Sequence, residues 1–204
     1  MKQHLFREAT LMLDAGLSWL CQEPDGTMRT DGPKPRVLLS GSFNPLHEGH
    51  RKLAHVAQRR LGSPVAFELS IVNVDKPEIA AEEVRRRAKQ FLGLAPVYIT
   101  RAKGFEGKAT LFAGAVMVVG ADTAERIVAV RYYNNDSLQR DRTLINIRNL
   151  GCRFLVAGRL GQAGKFLDLR DVDIPENFRD LFDGISEEEF RLDQSSSLLR
   201  QSSM

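Results

Sequence analysis

The order of apolar and polar positions changes character near residue 35. Over residues 3–21 apolar side chains recur at Leu5, Phe6, Ala9, Met12, Leu13, Leu17 and Leu20, close to a helical period. That spacing predicts an amphipathic helix ending at Trp19 and Leu20. Residues 23–35 crowd together Pro24, Gly26, Gly32, Pro33 and Pro35, which predicts a linker or long loop. From Arg36 onward the pattern alternates. Val37-Leu38-Leu39 and residues 65–74, 97–99, 115–119 and 153–157 read as five strands, the fourth apolar throughout, as expected where both sheet faces are covered. Residues 46–61, 82–92, 121–130 and 137–149 read as helices, with a short helix end at 110–113. Residues 166–169 and 189–192 read as late strands on either side of a polar, proline-containing segment, and Ser195-Ser196-Ser197 reads by composition as a disordered end. The alternation predicts an α/β fold, a Rossmann-like open parallel sheet with helices on both faces over residues 36–204, preceded by an N-terminal helix and linker over 1–35.

Composition narrows the partners. With 204 residues and 43% hydrophobic content the chain can build one cored domain. A formal net charge of +3 suits an anionic ligand but is too weak to argue for nucleic acid. The one basic block, Arg85-Arg86-Arg87, falls within a helical pattern and reads as a solvated face. Cys21 and Cys152 lie far apart without metal-ligand spacing, which argues against a disulfide framework or a zinc site, and Cys152 opens an apolar strand. The longest apolar run, residues 113–121, is short of a membrane span, and the charged N-terminus lacks the apolar centre of a signal peptide. These features predict a cytoplasmic protein with a small-molecule partner, no nucleic acid and no membrane, and they leave a homo-oligomer open.

The chemistry concentrates in Ser40-Gly41-Ser42-Phe43-Asn44-Pro45-Leu46-His47-Glu48-Gly49-His50, which follows the first strand of the alternating region and opens its first helix. An open parallel sheet places its ligand there. Gly41 allows a turn and close approach to the backbone, Pro45 suits the run-up to a helix, and the amides of a helix N-terminus attract phosphate. His47 and His50, three residues apart, share a helix face and can donate hydrogen bonds to phosphate oxygens as charge builds in a transition state. Gly49 between them leaves room for a nucleotide. Alone, the tetrapeptide is equally compatible with capping or surface histidines; its position between strand and helix points to phosphate chemistry.

These residues resemble the signature of the HxGH nucleotidylyltransferase superfamily, and the Gly-Ser-Phe-Asn-Pro form looks closest to nicotinamide and nicotinate mononucleotide adenylyltransferases. Gly120-Ala121-Asp122 resembles the family's Gly-x-Asp segment beside the nucleotide sugar. Ser195-Ser196-Ser197-Leu198-Leu199-Arg200 resembles its serine-rich phosphate motif, so the resemblance spans about residues 36–200 and turns the serine tail into an expected phosphate-binding helix start. It implies in-line attack by an acceptor phosphate on the α-phosphorus of ATP, with Mg²⁺ bridging phosphates, pyrophosphate leaving and no covalent enzyme intermediate. His47 and His50 would serve the triphosphate and the transition state. Gly41, Ser42, Phe43 and Gly49 would face the nucleotide. Gly120 and Asp122 would meet ribose or help place the metal, and Ser195, Ser196, Ser197 and Arg200 the leaving pyrophosphate.

Lys76 and Arg87 are candidates for the acceptor phosphate, and Arg51 and Arg159 for phosphate contacts, whereas His55 reads as structural. Relatives that use nicotinamide mononucleotide usually stack its ring on an aromatic, often a tryptophan. The only tryptophan here, Trp19, lies outside the matched region, leaving Tyr132, Tyr133 and Phe105 as substitutes. A cytidylyltransferase, a phosphopantetheine adenylyltransferase and a non-catalytic nucleotide-binding module are the alternatives.

Overall fold

The computed structural model describes residues 16–72, 77–160 and 165–191. Its strands are β1 (Trp19–Gln22), β2 (Met28–Arg29), β3 (Val37–Ser40), β4 (Val65–Ser70), β5 (Val97–Thr100), β6 (Val116–Gly120), β7 (Arg153–Ala157), β8 (Arg159–Leu160), β9 (Phe166–Leu167) and β10 (Phe182–Ile185). The α-helices are α1 (Glu48–Leu61), α2 (Ala81–Ala88), α3 (Gly104–Leu111), α4 (Ala121–Val128) and α5 (Ser137–Asn149). Eight strands form one sheet in the order β10-β7-β6-β3-β4-β5-β1-β2. From β10 to β5 every neighbouring pair is parallel; β1 runs antiparallel to β5, and β2 antiparallel to β1.

Alternate side chains of each central strand feed opposite faces, as a two-residue period requires. Val37, Leu39, Val116, Val118 and Leu155 join Val56 and Ala57 of α1 and Val84 and Ala88 of α2 in one core. Met117, Val119, Phe154 and Val156 join α4 and α5 in a second, and Leu38 and Ala66 pack with Phe112 in a third. The predicted Rossmann-like sheet with helices on both faces is therefore present. Chain order reverses direction across the sheet between β3 and β6, so the loops after these two strands open the crevice where such sheets hold ligands.

Several predicted elements need correction. Of the helix expected over residues 3–21, residues 3–15 lie outside the described residues, and its end is instead β1, after Gly16 turns the chain at φ +100°. The physical reason is the open edge of β5, whose N–H and C=O groups would otherwise lack partners; β1 covers it in the register Leu20↔Ile99 and Cys21↔Tyr98. Met28–Arg29 of the expected linker pairs back on β1, so the sheet crosses the boundary read at residue 35. Trp19 is buried with its ring 5.2 Å from that of Tyr98, a core residue of this edge. The second strand of the alternating region stops at Ser70, and the short helix end at 110–113 is the end of α3, which begins at Gly104. The late strand at 166–169 shrinks to β9 and pairs with β8 in a separate hairpin. Residues 189–191 are not a strand, and the sixth parallel strand is β10, inside the segment read as polar.

Candidate active site

The histidine turn begins where β3 ends. The Gly41 N–H donates to the Glu68 carbonyl of β4 at 3.0 Å, the last rung before the chain leaves the sheet. Phe43 adopts φ +43° and is 1% exposed. Its ring meets Phe67, Phe91 and His50 edge-on, with centroids 5.5, 5.1 and 5.1 Å away. A Cβ on Gly41 would stand 2.7 Å from the Phe43 ring, so glycine is needed there to admit this ring rather than for a left-handed backbone. After a cis Asn44–Pro45 bond, His47 caps α1 with an extended backbone.

The two histidine rings stack, centroids 3.8 Å apart and inclined by 28°. His50 Nδ1 accepts the His47 backbone N–H at 3.2 Å, which leaves the remaining proton of a neutral imidazole on Nε2. Burial, reinforced by neighbouring His47, pushes the His50 pKa down to about 3, and burial lowers that of His47 as well. Two neutral rings can lie this close without mutual repulsion, and the Nε2–H of His50 is a donor suited to anionic oxygens.

Helix α2 grips this turn. Arg87 donates from Nη1 to the Ser42 carbonyl at 3.0 Å and from Nε to Glu83 at 2.7 Å. Arg86 binds Glu83 and reaches the Asn44 side chain at 2.5 Å. Gln90, just beyond α2, donates to the Phe43 carbonyl and accepts the Leu46 N–H, both at 2.9 Å. The basic block is thus no simple solvated face: Glu83, held down to about 2 chiefly by Arg86, anchors two arginines that point back at the turn.

On the other side of the switch point, Asp122 lies in the first turn of α4, just past Gly120, and pairs with Arg159 at 2.6 Å. Arg159, expected as a phosphate contact, therefore holds the Asp122 carboxylate across the ends of β6 and β7. A cleft of about 1050 Å³ runs from Ser40, Gly41, Ser42 and Asn44 past Glu83 and Arg87 to Phe105, Tyr132 and Tyr133. All three aromatic substitutes for a tryptophan thus line one cavity. Burial, followed by Glu106, pushes the Tyr133 hydroxyl up to about 12, so it stays protonated.

Arg51 and His55 border a smaller cavity of about 440 Å³ along α1, with Glu189, Phe190 and Arg191 opposite. Lys76, Ser195, Ser196, Ser197 and Arg200 lie outside the described residues. Among the described residues no three or more His, Cys, Asp or Glu side chains gather around a point that a metal could occupy. No described helix is long and apolar enough to cross a membrane. Both cysteines are free and buried, and burial pushes the Cys21 thiol up to about 12, far from a reactive thiolate.

Sequence reasoning missed Gln90 and the group formed by Glu68, Thr100 and Lys108. Glu68 is fully buried, accepting from Thr100 Oγ1 and paired with Lys108 Nζ, each at 2.7 Å, and Lys108 lines the cleft. A lone carboxylate among apolar strand residues was the available signal, because a charge at such a position needs a buried partner. Gln90 carried no comparable signal.

An open parallel sheet with a paired-histidine helix start at its switch point defines the Rossmann-like nucleotide-binding class. Residues 38–202 match the cytidylyltransferase-like family, and the chain belongs to that family, within the HxGH nucleotidyltransferases. It is also similar to the phosphopantetheine adenylyltransferase of Archaeoglobus fulgidus, 27% identical over 120 residues that cover 55% of this chain and 80% of that protein.

Proposed function

We propose that this nucleotidyltransferase moves the adenylyl group of ATP onto the phosphate of a small acceptor, nicotinamide or nicotinate mononucleotide, with release of pyrophosphate. The observation that carries the reading is the cleft that runs from Ser40, Gly41, Ser42 and Asn44, just before the histidines, to the rings of Phe105, Tyr132 and Tyr133. It offers the polar groups of that turn at one end and a surface for a flat ring at the other. His47 and His50 face the triphosphate as neutral donors. Their role is to stabilise charge on the phosphate oxygens while the acceptor phosphate oxygen attacks the α-phosphorus in line and the bond to pyrophosphate breaks. Gly41 and Ser42 line the cleft, and the buried Phe43 and Gly49 behind them are assigned to the nucleotide through their backbone. Gly120, where an added Cβ would meet nothing within 4 Å, leaves space beside Asp122 for ribose.

Arg87, which lines the cleft, is assigned with Lys76 to the acceptor phosphate. The described chain reaches Arg191 beside Glu48, Arg51 and His55 of α1. Ser195, Ser196, Ser197 and Arg200 are assigned to the leaving pyrophosphate on the resemblance of their sequence to the family's serine-rich phosphate motif. A second reading, phosphopantetheine as acceptor, is favoured by the name of the Archaeoglobus relative.

The deciding experiment measures pyrophosphate release from ATP or CTP with Mg²⁺ against nicotinamide mononucleotide, nicotinate mononucleotide and 4′-phosphopantetheine. The expected result is release with ATP and a mononucleotide, falling about a hundredfold or more in His47→Ala. Release only with 4′-phosphopantetheine selects the second reading, and nucleotide binding without release by any pair removes both.

A further inference from the structure

The histidine turn bends too sharply to be held by a sheet ladder, and its last ladder bond is that of Gly41. Beyond it, α2 and the residues that follow supply the polar partners described above for Ser42, Phe43, Asn44 and Leu46. Among these side chains Gln90 alone binds both limbs of the turn. One N–H of its amide goes to the Phe43 carbonyl and the group also donates to the Arg87 carbonyl at 3.1 Å, while its oxygen accepts from Leu46. Donor and acceptor ends are both engaged, so the amide can sit only one way round. Closing Phe43 onto Leu46 fixes where the Phe43 ring stands, and that ring packs on His50.

We infer that Gln90 is a positioning residue: by tying Phe43 to Leu46 it holds the His47–His50 pair in the geometry that meets the triphosphate. It touches neither nucleotide nor acceptor. The inference rests on the proposed function for its kinetic consequence, but its structural consequence can be read without turnover. If the turn loosens, water reaches His50, and the ring recovers an ordinary basicity that burial now denies it.

The test compares wild type with Gln90→Met, which keeps the length of the side chain and removes both of its hydrogen bonds to the turn. Gln90→Glu keeps the acceptor for Leu46 and loses the donor to Phe43; it carries the test if Gln90→Met does not fold. Leu144→Ala, at a fully buried α5 position in the other core, which holds no residue of the turn, controls for a general loss of packing. Each is followed by histidine-resolved NMR titration, the chain having only four histidines, and by thermal melting and pyrophosphate release.

The expected result for Gln90→Met is a His50 pKa raised by about one unit or more and kcat reduced about thirtyfold, with KM for ATP held within about threefold. Leu144→Ala should lower the melting temperature and leave His50 where it is. A His50 titration unchanged in Gln90→Met, or moved as far by Leu144→Ala, overturns the inference. If wild type releases no pyrophosphate with any acceptor, the functional reading fails while the titration still decides the place of Gln90.

Discussion

At the residue scale the turn works through groups kept in unusual states. His50 is held neutral because its ring is buried against Phe43 and stacked on His47, with its Nδ1 already committed to a backbone N–H. The linkage sign follows from that. Between pH 6.5 and about 3 the unfolded chain takes up a proton at this position that the folded chain refuses, so stability rises with pH across that window and falls on acidification. His47, lowered in the same direction, adds to the slope. Urea unfolding of wild type and His50→Gln at several pH values should show the steeper dependence in wild type, since glutamine can accept the same N–H without titrating. Parallel curves would show that His50 titrates alike in the folded and unfolded chain.

At the scale of elements the informative contact is between β4, β5 and α3. Glu68 and Thr100 point to the same sheet face, where α3 delivers Lys108, and the ammonium also lies 4.8 Å from the Phe105 ring centroid. A buried pair of this kind adds little stability over an apolar pair of similar volume, but removing one partner leaves an uncompensated charge. Lys108→Met should therefore destabilise the protein by about 3–5 kcal/mol, and adding Glu68→Gln should recover most of that loss. Urea titration of the single and double variants measures both. Equal stability of Lys108→Met and wild type would mean that water reaches Glu68.

At the scale of the whole molecule, the segment read as a separate N-terminal helix and linker contributes the far edge of the sheet. Trp19, Cys21 and Tyr98 share a core, and Gln22 donates to the Ala88 carbonyl at 2.8 Å, joining this edge to the helix that grips the histidine turn. A chain restricted to residues 36–204 should expose the edge of β5 and bare the Tyr98 ring. The expected outcome is a fall in melting temperature and association at concentrations where the full chain stays dispersed. Equal melting and equal dispersion would show that residues 36–204 fold independently of this edge.

The alternating core and the strand-to-helix turn that carries the paired histidines were legible in the local pattern. The central strands and helices carry period-2 and period-3.6 signals strong enough to read locally, and a glycine turn followed by paired histidines has meaning only between a strand and a helix. What it could not determine depends on partners distant along the chain. Residues 19–22 become a strand because β5 has an open edge. Phe182–Ile185 becomes one because β7 offers a parallel neighbour in the register Phe182↔Phe154. The grip of Gln90 on Phe43 and Leu46 spans more than forty residues of sequence, and the Glu68–Lys108 pair joins a strand to a helix on the far side of β5. Local pattern reports what a segment can bury; only the tertiary fold decides which unpaired edge, carbonyl or charge it meets.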